Sequence, residues 1–219
     1  MNNIMIDDDV TLMSLDAHDC RKAAALELCR CCAPVLLGVK PAALIRMDTE
    51  AAGLLKHIRS LCPICYYPLD VSPENQVFIF IPELVERAFM RPGALYFLRS
   101  IGYGGDTVNE YVRELIKRIQ GSRRHRNLFP HEIGIFLGYP LEDVIGFWLN
   151  GGRNPLYEGE WKCYSNVSEV VWQQELHSRA RQVMESAILA GETLDAILSW
   201  YWSSAVEERC PAKAAIQSL

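Results

Sequence analysis

Residues 76–81 (QVFIFI) restrict the fold of this chain more than any other stretch of its sequence. Every position after Gln76 is β-branched or aromatic, which favours a β-strand. A strand at the surface of a sheet alternates apolar and polar residues, whereas a continuous apolar run is typical of a strand that is buried on both faces. We therefore predict a strand at the centre of its sheet, with Phe78 and Phe80 buried.

Helical patterns occupy most of the remaining chain. The apolar residues between positions 108 and 119 follow a 3,1,3,1,3 spacing, which places them on one face of an amphipathic helix. Pro82 suits the first position of another helix, where its missing N–H group is tolerated. Similar patterns predict helices over residues 19–32, 50–61, 93–101 and 167–190, and a last helix with Leu194, Ile197, Leu198, Tyr201 and Trp202 on its apolar face.

A short apolar segment follows the first predicted helix. Pro34 is expected to end that helix, because proline removes a hydrogen-bond donor from the helix interior. Residues 35–47 (VLLGVKPAALIRM) then predict a short strand, a turn and a second strand. Because only a few strands accompany many helices, the predicted fold class is α+β: a helix-rich single domain with a small mixed sheet.

The composition limits the class of protein. Half of the 219 residues are apolar, which is enough for a core at this length, and the formal net charge of −5 disfavours nucleic acid as a partner. No apolar run reaches the length of a membrane span, and the acidic start MNNIMIDDDV lacks the positive charge of a signal peptide. We therefore expect a cytoplasmic protein with reduced cysteines. Its single domain should span residues 16–206, between flexible tails at residues 1–15 and 207–219.

Residues 131–149 have the pattern of a helix-turn-helix-like corner. Gly134 is placed where a small residue separates two helices, Gly138 at the turn, and Val144 and Phe147 where the second helix meets the first. The second helix (LEDVIGFWLN) has two carboxylates and no lysine or arginine, so it would repel DNA phosphates. We interpret the pattern as a packed helical corner and not as a DNA-binding element.

Three motifs in the same part of the chain are PHE (residues 130–132), LGYP (137–140) and GxWKxY (159–164). With the longer pattern FPHEIGxFLGYPxEDVxGF, they resemble a family of uncharacterised bacterial proteins from anaerobic, clostridia-like gut organisms. That family is catalogued as a domain of unknown function, and the resemblance extends from about Cys32 to about Leu198. It implies no established activity, so the chemistry must come from the residues themselves.

The polar residues of these motifs suggest one candidate pocket. Pro130 fixes a helix start, where free N–H groups suit an anion or a metal-bound ligand, and His131 suits acid/base chemistry or metal binding. Lys162 is expected near His131, because the loop of residues 151–159 is long enough to fold back. Alternatively, Glu132 only complements the helix dipole and His131 packs on a neighbour. The full candidate set is Cys32, Lys40, His131, Glu132, Tyr139, Lys162 and Tyr164.

Two C-x-x-C pairs, Cys29 with Cys32 and Cys62 with Cys65, have the residue types of a zinc or iron site. The first pair falls within a predicted helix, and the second lacks the glycine that usually follows such a turn. The resemblance implies only Cys32, within residues 32–38 (CAPVLLG), and the histidine that usually precedes it is Cys31 here. We therefore predict buried, inert thiols and no metal at these four cysteines, and the sequence does not identify a cofactor.

The sequence supports two hypotheses about function, and they belong to different classes. In the first, the pocket around the PHE motif binds a small anionic or metal- or redox-linked ligand. In the second, a non-catalytic module binds a protein partner through exposed Phe147, Trp148 or Trp172. The basic run at residues 123–126 (RRHR) is interpreted as a solvated loop, with RNA as a weaker alternative. A concave pocket joining Cys32 and Lys162 would favour the first hypothesis, and a His131 packed beside an apolar surface would favour the second.

Overall fold

The computed structural model describes residues 8–69, 76–122 and 129–203, with side chains from residue 19 onward. Within these residues the chain forms nine helices and five strands. In chain order they are α1 (Asp8–Leu36), β1 (Ala42–Arg46), α2 (Thr49–Ile58), β2 (Cys65–Leu69), β3 (Gln76–Phe80), α3 (Pro82–Phe89), α4 (Ala94–Ser100), α5 (Val108–Ser122), α6 (Ile133–Phe136), α7 (Leu141–Asn150), β4 (Tyr157–Glu158), β5 (Lys162–Cys163), α8 (Val167–Leu189) and α9 (Leu194–Trp202). This is a helix-rich α+β domain, as predicted.

Strand β3 lies at the centre of a three-stranded sheet with the order β1-β3-β2. Ile79 pairs with Ala43 of β1 on one side and with Tyr66 of β2 on the other. Both pairings are antiparallel, so the mixed sheet that we expected is wrong. Strands β2 and β3 are consecutive and only six residues apart, so they pair without the long crossover that a parallel pair needs. The central position of β3 is confirmed.

Each face of β3 packs against a separate apolar cluster. Val77 and Ile79 pack with residues of α1, α2, α8 and α9. Phe78 and Phe80, both fully buried, pack with residues of α3 to α7. The sheet therefore separates two cores, which explains why no position in this strand is left for water.

The end of the first helix differs from the prediction. Pro34 lies inside α1, which continues to Leu36 and ends where Gly38 adopts a left-handed φ of 65°. Proline is tolerated there because it removes a single helical N–H group near the helix end, and its own carbonyl accepts from Val39 and Lys40. The short strand expected in residues 35–47 before the turn is therefore absent, and β1 is the only strand in that range.

The other expected boundaries have mixed outcomes. Helix α1 begins at Asp8, so it includes residues 8–15, which we assigned to a flexible tail. Residues 1–7 and 204–219 lie outside the described residues, and the limits of the domain at residues 16 and 206 stay a prediction. None of the helices within the described ranges has the length and apolar character needed to cross a membrane.

The helical corner is present and is built on close contacts. A Cβ added to Gly134 of α6 would lie 2.7 Å from Val144 Cγ2 of α7, so only glycine lets the two helices approach this closely. Gly138 adopts a φ of 85° at the turn between them. Arg91 Nη1 donates to the Gly138 carbonyl at 2.9 Å, which ties the corner to the segment after α3.

Candidate functional site

The hairpin formed by β4 and β5 carries the densest group of polar contacts. Glu158 pairs with Lys162, so Gly159, Glu160 and Trp161 form a three-residue turn at its tip. A Cβ on Gly159 would collide with the side-chain amide of Gln174 in α8, so the turn lies directly against this helix. The close approach of the turn to α8 directs Glu160 toward the side chains of that helix.

Three nitrogen-bearing side chains meet the Glu160 carboxylate. His177 Nδ1 lies 2.8 Å from Glu160 Oε2, and Lys40 Nζ lies 3.3 Å from the same oxygen. Arg181 Nη2 donates to Glu160 Oε1 at 2.6 Å. Lys40 follows the end of α1, and His177 and Arg181 lie one helical turn apart on α8, so three separate segments meet here. We name Lys40, Glu160, His177 and Arg181 the hairpin cluster.

Burial and charge act against each other at Glu160. Burial alone would raise its pKa, but the hydrogen bonds from His177 and Arg181 and the positive charge of Lys40 hold that pKa well below its usual range. Burial lowers the pKa of His177 and the pKa of Lys40. Because an ionised carboxylate can only accept, His177 carries its proton on Nδ1 and donates it to Glu160. The cluster therefore combines an anionic Glu160 with a neutral imidazole.

Trp161 connects the hairpin to the LGYP segment and to α7. Its ring stacks on Tyr139 at 4.3 Å between ring centroids, and Lys40 Nζ lies 5.6 Å from the centroid of the Tyr139 ring. The indole N–H of Trp161 donates to Asp143 Oδ2 at 2.9 Å. Burial raises the pKa of Tyr139, so its phenol stays protonated beside the cluster. The motif residues of the hairpin and of the corner thus form one contiguous structure.

Four of the seven candidate residues lie at or beside this hairpin. Lys40 and Tyr139 adjoin the hairpin cluster directly. Lys162 Nζ donates to the Gly152 carbonyl at 2.8 Å, and the Tyr164 hydroxyl donates to the Arg153 carbonyl at 3.1 Å. The last two side chains therefore hold the preceding loop, and neither directs its polar group at Glu160.

His131 and Glu132 face different surroundings, although they are adjacent in the chain. The His131 ring lies 4.8 Å from the Phe147 ring, between the corner and the Phe129 side chain. Glu132 is buried, and its Oε1 accepts from the Tyr103 hydroxyl and from Arg118 Nη1, each at 3.1 Å. The structure therefore does not bring their polar groups together, and a shared pocket for the seven residues stays a prediction.

Cys32 lies in the core on the α1 side of the sheet and is fully buried. Its thiol donates to the Leu28 carbonyl, and burial raises its pKa well above the usual range. Burial also raises the pKa values of Cys29 and Cys62 to about 11. These pKa values keep the three thiols protonated and unreactive at neutral pH.

The other expectations about cysteines and metal can be compared with the structure in the described part of the chain. All seven cysteines there are free thiols. No group of three or more His, Cys, Asp or Glu side chains in that part is arranged to hold a metal ion. The prediction of no metal at Cys29, Cys32, Cys62 and Cys65 still requires metal analysis of the purified protein. The basic run at residues 123–126 lies outside the described residues.

Sequence reasoning missed Glu160, His177 and Arg181. Glu160 stood at a variable position of the GxWKxY motif, and His177 and Arg181 stood in a long helix with many charged residues. The spacing of four residues between His177 and Arg181 was a usable signal, because it places both on one helix face. Their common partner Glu160 has no signal in the local sequence.

Comparisons with known proteins place the chain in a family. The sequence model of a family described as "Protein of unknown function (DUF3793)" matches residues 28–198, and every member of the hairpin cluster lies in that range. No curated protein and no solved structure matches the chain. The match covers well over half of the chain, which therefore belongs to the DUF3793 family of proteins of unknown function.

Proposed function

We propose that this domain binds a small anionic ligand, carrying a carboxylate or phosphate group, at the hairpin cluster. The observation that carries the proposal is the convergence of Lys40, His177 and Arg181 on the single carboxylate of Glu160. Two positive charges meet one negative charge, so one positive charge stays unbalanced while His177 is neutral. A second anion would balance it.

The surroundings of the cluster strengthen such an interaction. The Lys40 side chain is only 12% exposed and that of Arg181 34%, so both charges lie in a medium less polar than water. Coulombic attraction grows as the surroundings become less polar. Arg181 uses one Nη atom for Glu160, and guanidinium groups bind carboxylates and phosphates through paired N–H groups. The partial exposure of Arg181 supplies the entry for a ligand.

Chemical rescue tests the proposal directly. Glu160→Ala removes the carboxylate and leaves its three partners around an empty space, so the variant should melt at a lower temperature than the wild type. Acetate should then restore melting temperature, because an anion that binds only the folded state stabilises it by mass action. Chloride at the same ionic strength should raise the melting temperature of the variant by a smaller amount. Differential scanning calorimetry at rising acetate concentration provides the measurement.

Glu158→Ala is the matched control, because Glu158 lies on the same hairpin and pairs with the more exposed Lys162. Its melting temperature should not respond to acetate beyond the response to chloride. Equal responses of the two variants to acetate would contradict an anion site at the cluster.

The wild type provides a second test. Titration with inorganic phosphate, followed by NMR, should shift the signals of the hairpin and of α8. Arg181→Gln should weaken this binding about tenfold, which corresponds to the loss of one charge-assisted contact. Arg30→Gln is the control, because Arg30 pairs with Glu185 at 3.6 Å between α1 and α8 and is well exposed. Equal phosphate affinities of both variants would contradict the proposal.

The second candidate function is the binding of a protein partner at the helical corner. His131 packs on Phe147, and beside it Trp148 and Leu149 are 48% and 81% exposed. The Trp148 ring contacts Phe97 of α4 edge-on at 5.8 Å, so the apolar surface continues onto a second helix. A photo-crosslinking amino acid at Leu149 should capture one defined protein in the native host, and the same group at exposed Glu142 should not.

A further inference from the structure

A second site is present away from the hairpin cluster. A cavity of about 700 Å³ lies between α1, α2, the end of α8 and the start of α9, and it shares no residue with the hairpin cluster. We propose that this cavity binds a small amphipathic molecule with an apolar body and a head group that has no net charge. Cavities of this size are typical of small-molecule sites.

The wall of the cavity is mainly apolar. Apolar side chains from all four helices line it: Ala24, Ala25, Leu54, Ile188 and Leu194. Four of these belong to the core on that side of the sheet and Leu54 packs against it, so the wall is held by the fold itself. An apolar ligand body that displaces water from this wall gains the free energy of burying its own surface.

The polar side of the cavity carries balanced charge. Its charged residues apart from one ion pair are Arg21, Lys22, Glu50 and Glu192. Two positive and two negative charges give no preference for an anionic or a cationic head group. The ion pair is His57 with Asp195, whose Nε2 and Oδ2 atoms lie 2.7 Å apart. Because Asp195 contacts only Nε2, the Nδ1 atom of His57 is left to form a hydrogen bond with the head group of a ligand.

Gly53 in α2 is the independent observation. Glycine in a helix interior lowers helix stability relative to alanine. Gly53 does not have a positive φ, and a Cβ at this position would meet nothing within 4 Å. No neighbouring side chain and no backbone conformation therefore requires glycine here. Gly53 lines the cavity, so its missing side chain enlarges the space available to a ligand.

A large side chain placed at position 53, where it would fill part of the cavity, tests the proposal. The probe is 6-propionyl-2-(dimethylamino)naphthalene, an uncharged dye with an apolar body whose emission shifts to the blue in apolar sites. The wild type should bind it with saturation, and Gly53→Phe should weaken that binding about tenfold. Gly121→Phe is the matched control, because Gly121 also lies in a helix with nothing within 4 Å of its Cβ, and it is not part of the cavity. The control should bind like the wild type.

Further variants test separately how the apolar body and the head group of the ligand contribute to binding. Gly53→Leu fills less of the cavity and provides the comparison if Gly53→Phe does not fold. His57→Ala should weaken dye binding about threefold to tenfold, as expected for one hydrogen bond. The anionic dye 1-anilinonaphthalene-8-sulfonate should bind more weakly than the uncharged one.

Three results would overturn the inference: no saturable binding to the wild type, unchanged binding in both Gly53 variants, or tighter binding of the anionic dye. None of these results depends on anion binding at the hairpin cluster, so the two proposals fail separately.

Discussion

Asp143 is the buried carboxylate that joins α7 to the hairpin. Its oxygens accept from Trp161 Nε1 at 2.9 Å, from the Tyr164 backbone N–H at 2.7 Å and from the Ser165 hydroxyl at 2.8 Å. Asp143→Ala leaves three donors without their acceptor, and each buried donor without a partner costs about 1–3 kcal/mol. We expect the free energy of unfolding to fall by about 3 kcal/mol or more, as measured by urea denaturation.

The neighbouring carboxylate provides the control for this prediction. Glu142 is exposed at the same end of α7, so Glu142→Ala should change the free energy of unfolding by no more than about 0.5 kcal/mol. If the two alanine variants unfold at the same urea concentration, the Asp143 contacts do not hold the hairpin in solution.

His177 gives the fold a specific pH dependence. Its pKa in the folded state is lowered by burial from the ordinary value of 6.5, so the unfolded chain takes up a proton first as the pH falls. The free energy of unfolding should therefore decrease as the pH falls below about 6.5, until the pH reaches the folded pKa. His177→Gln should flatten this part of the curve measured by urea denaturation between pH 7.5 and 5. An unchanged slope in His177→Gln would show that another group causes the pH dependence.

The residue scale also shows the limit of sequence reasoning about the site. Lys40 and Tyr139 were predicted from their motifs, and the structure places both beside Glu160. Lys40 and Glu160 are 120 positions apart, and no local pattern specifies which distant charge a buried carboxylate meets. His131 and Glu132 were grouped because they are adjacent, yet neighbouring residues in a helical turn point in different directions.

At the scale of elements, long periodic segments were predicted well and short apolar segments were not. Helices α5 and α8 follow the expected ranges closely, because their periodicity extends over several turns. Val35 and Leu36 could lie in a strand or in a helix by sequence alone, and they are helical because α1 packs against α8 and the turn comes only at Gly38. The β-propensity of the residues alone does not determine the conformation of such a short apolar run.

The packing of α7 against the hairpin depends on a second close approach. A Cβ added to Gly146 would lie 2.5 Å from both Cβ and Cγ of Tyr164, which is closer than side-chain atoms pack. Gly146→Ala gains about 1 kcal/mol in helix propensity but forces α7 away from β5. We expect a net loss of about 1–3 kcal/mol in the free energy of unfolding, as for other overpacked sites.

Gly121→Ala separates helix propensity from packing. Gly121 is helical in α5, and a Cβ there would meet nothing within 4 Å, so this variant should gain up to about 1 kcal/mol. Thermal melts of the two variants should therefore shift in opposite directions. A Gly146→Ala variant that melts higher than the wild type would show that α7 and the hairpin separate easily.

At the scale of the whole molecule, the continuous apolar run in β3 predicted the architecture. A strand without a polar face requires cover on both sides, and the two clusters on either side of the sheet supply it. The sequence did not predict which helices pack on which side, since amphipathic faces indicate burial but not the identity of the partner. The cavity between α1, α2 and α9 was missed for the same reason.

Because β3 belongs to both clusters, a substitution on one side of the sheet should lower the stability of the entire domain. Phe80 is fully buried and stacks on Phe78 at 5.7 Å between ring centroids. Phe80→Ala should lower the free energy of unfolding by about 3–5 kcal/mol. Tyr96→Ala, at a side chain that is 80% exposed, is the control and should change it by less than about 0.5 kcal/mol.

The shape of the Phe80→Ala transition distinguishes one cooperative unit from two. Trp202 Nε1 donates to the Leu36 carbonyl on the opposite side of the sheet from Phe80, so indole fluorescence includes a signal from the undamaged core. If β3 couples the cores, the urea transitions followed by fluorescence and by far-UV circular dichroism should coincide and move together to lower urea. A circular dichroism transition that precedes the fluorescence transition would show that the α3–α7 side unfolds by itself. In that case β3 would retain its pairing with β1 and its contacts to α1 after the Phe80 side is lost.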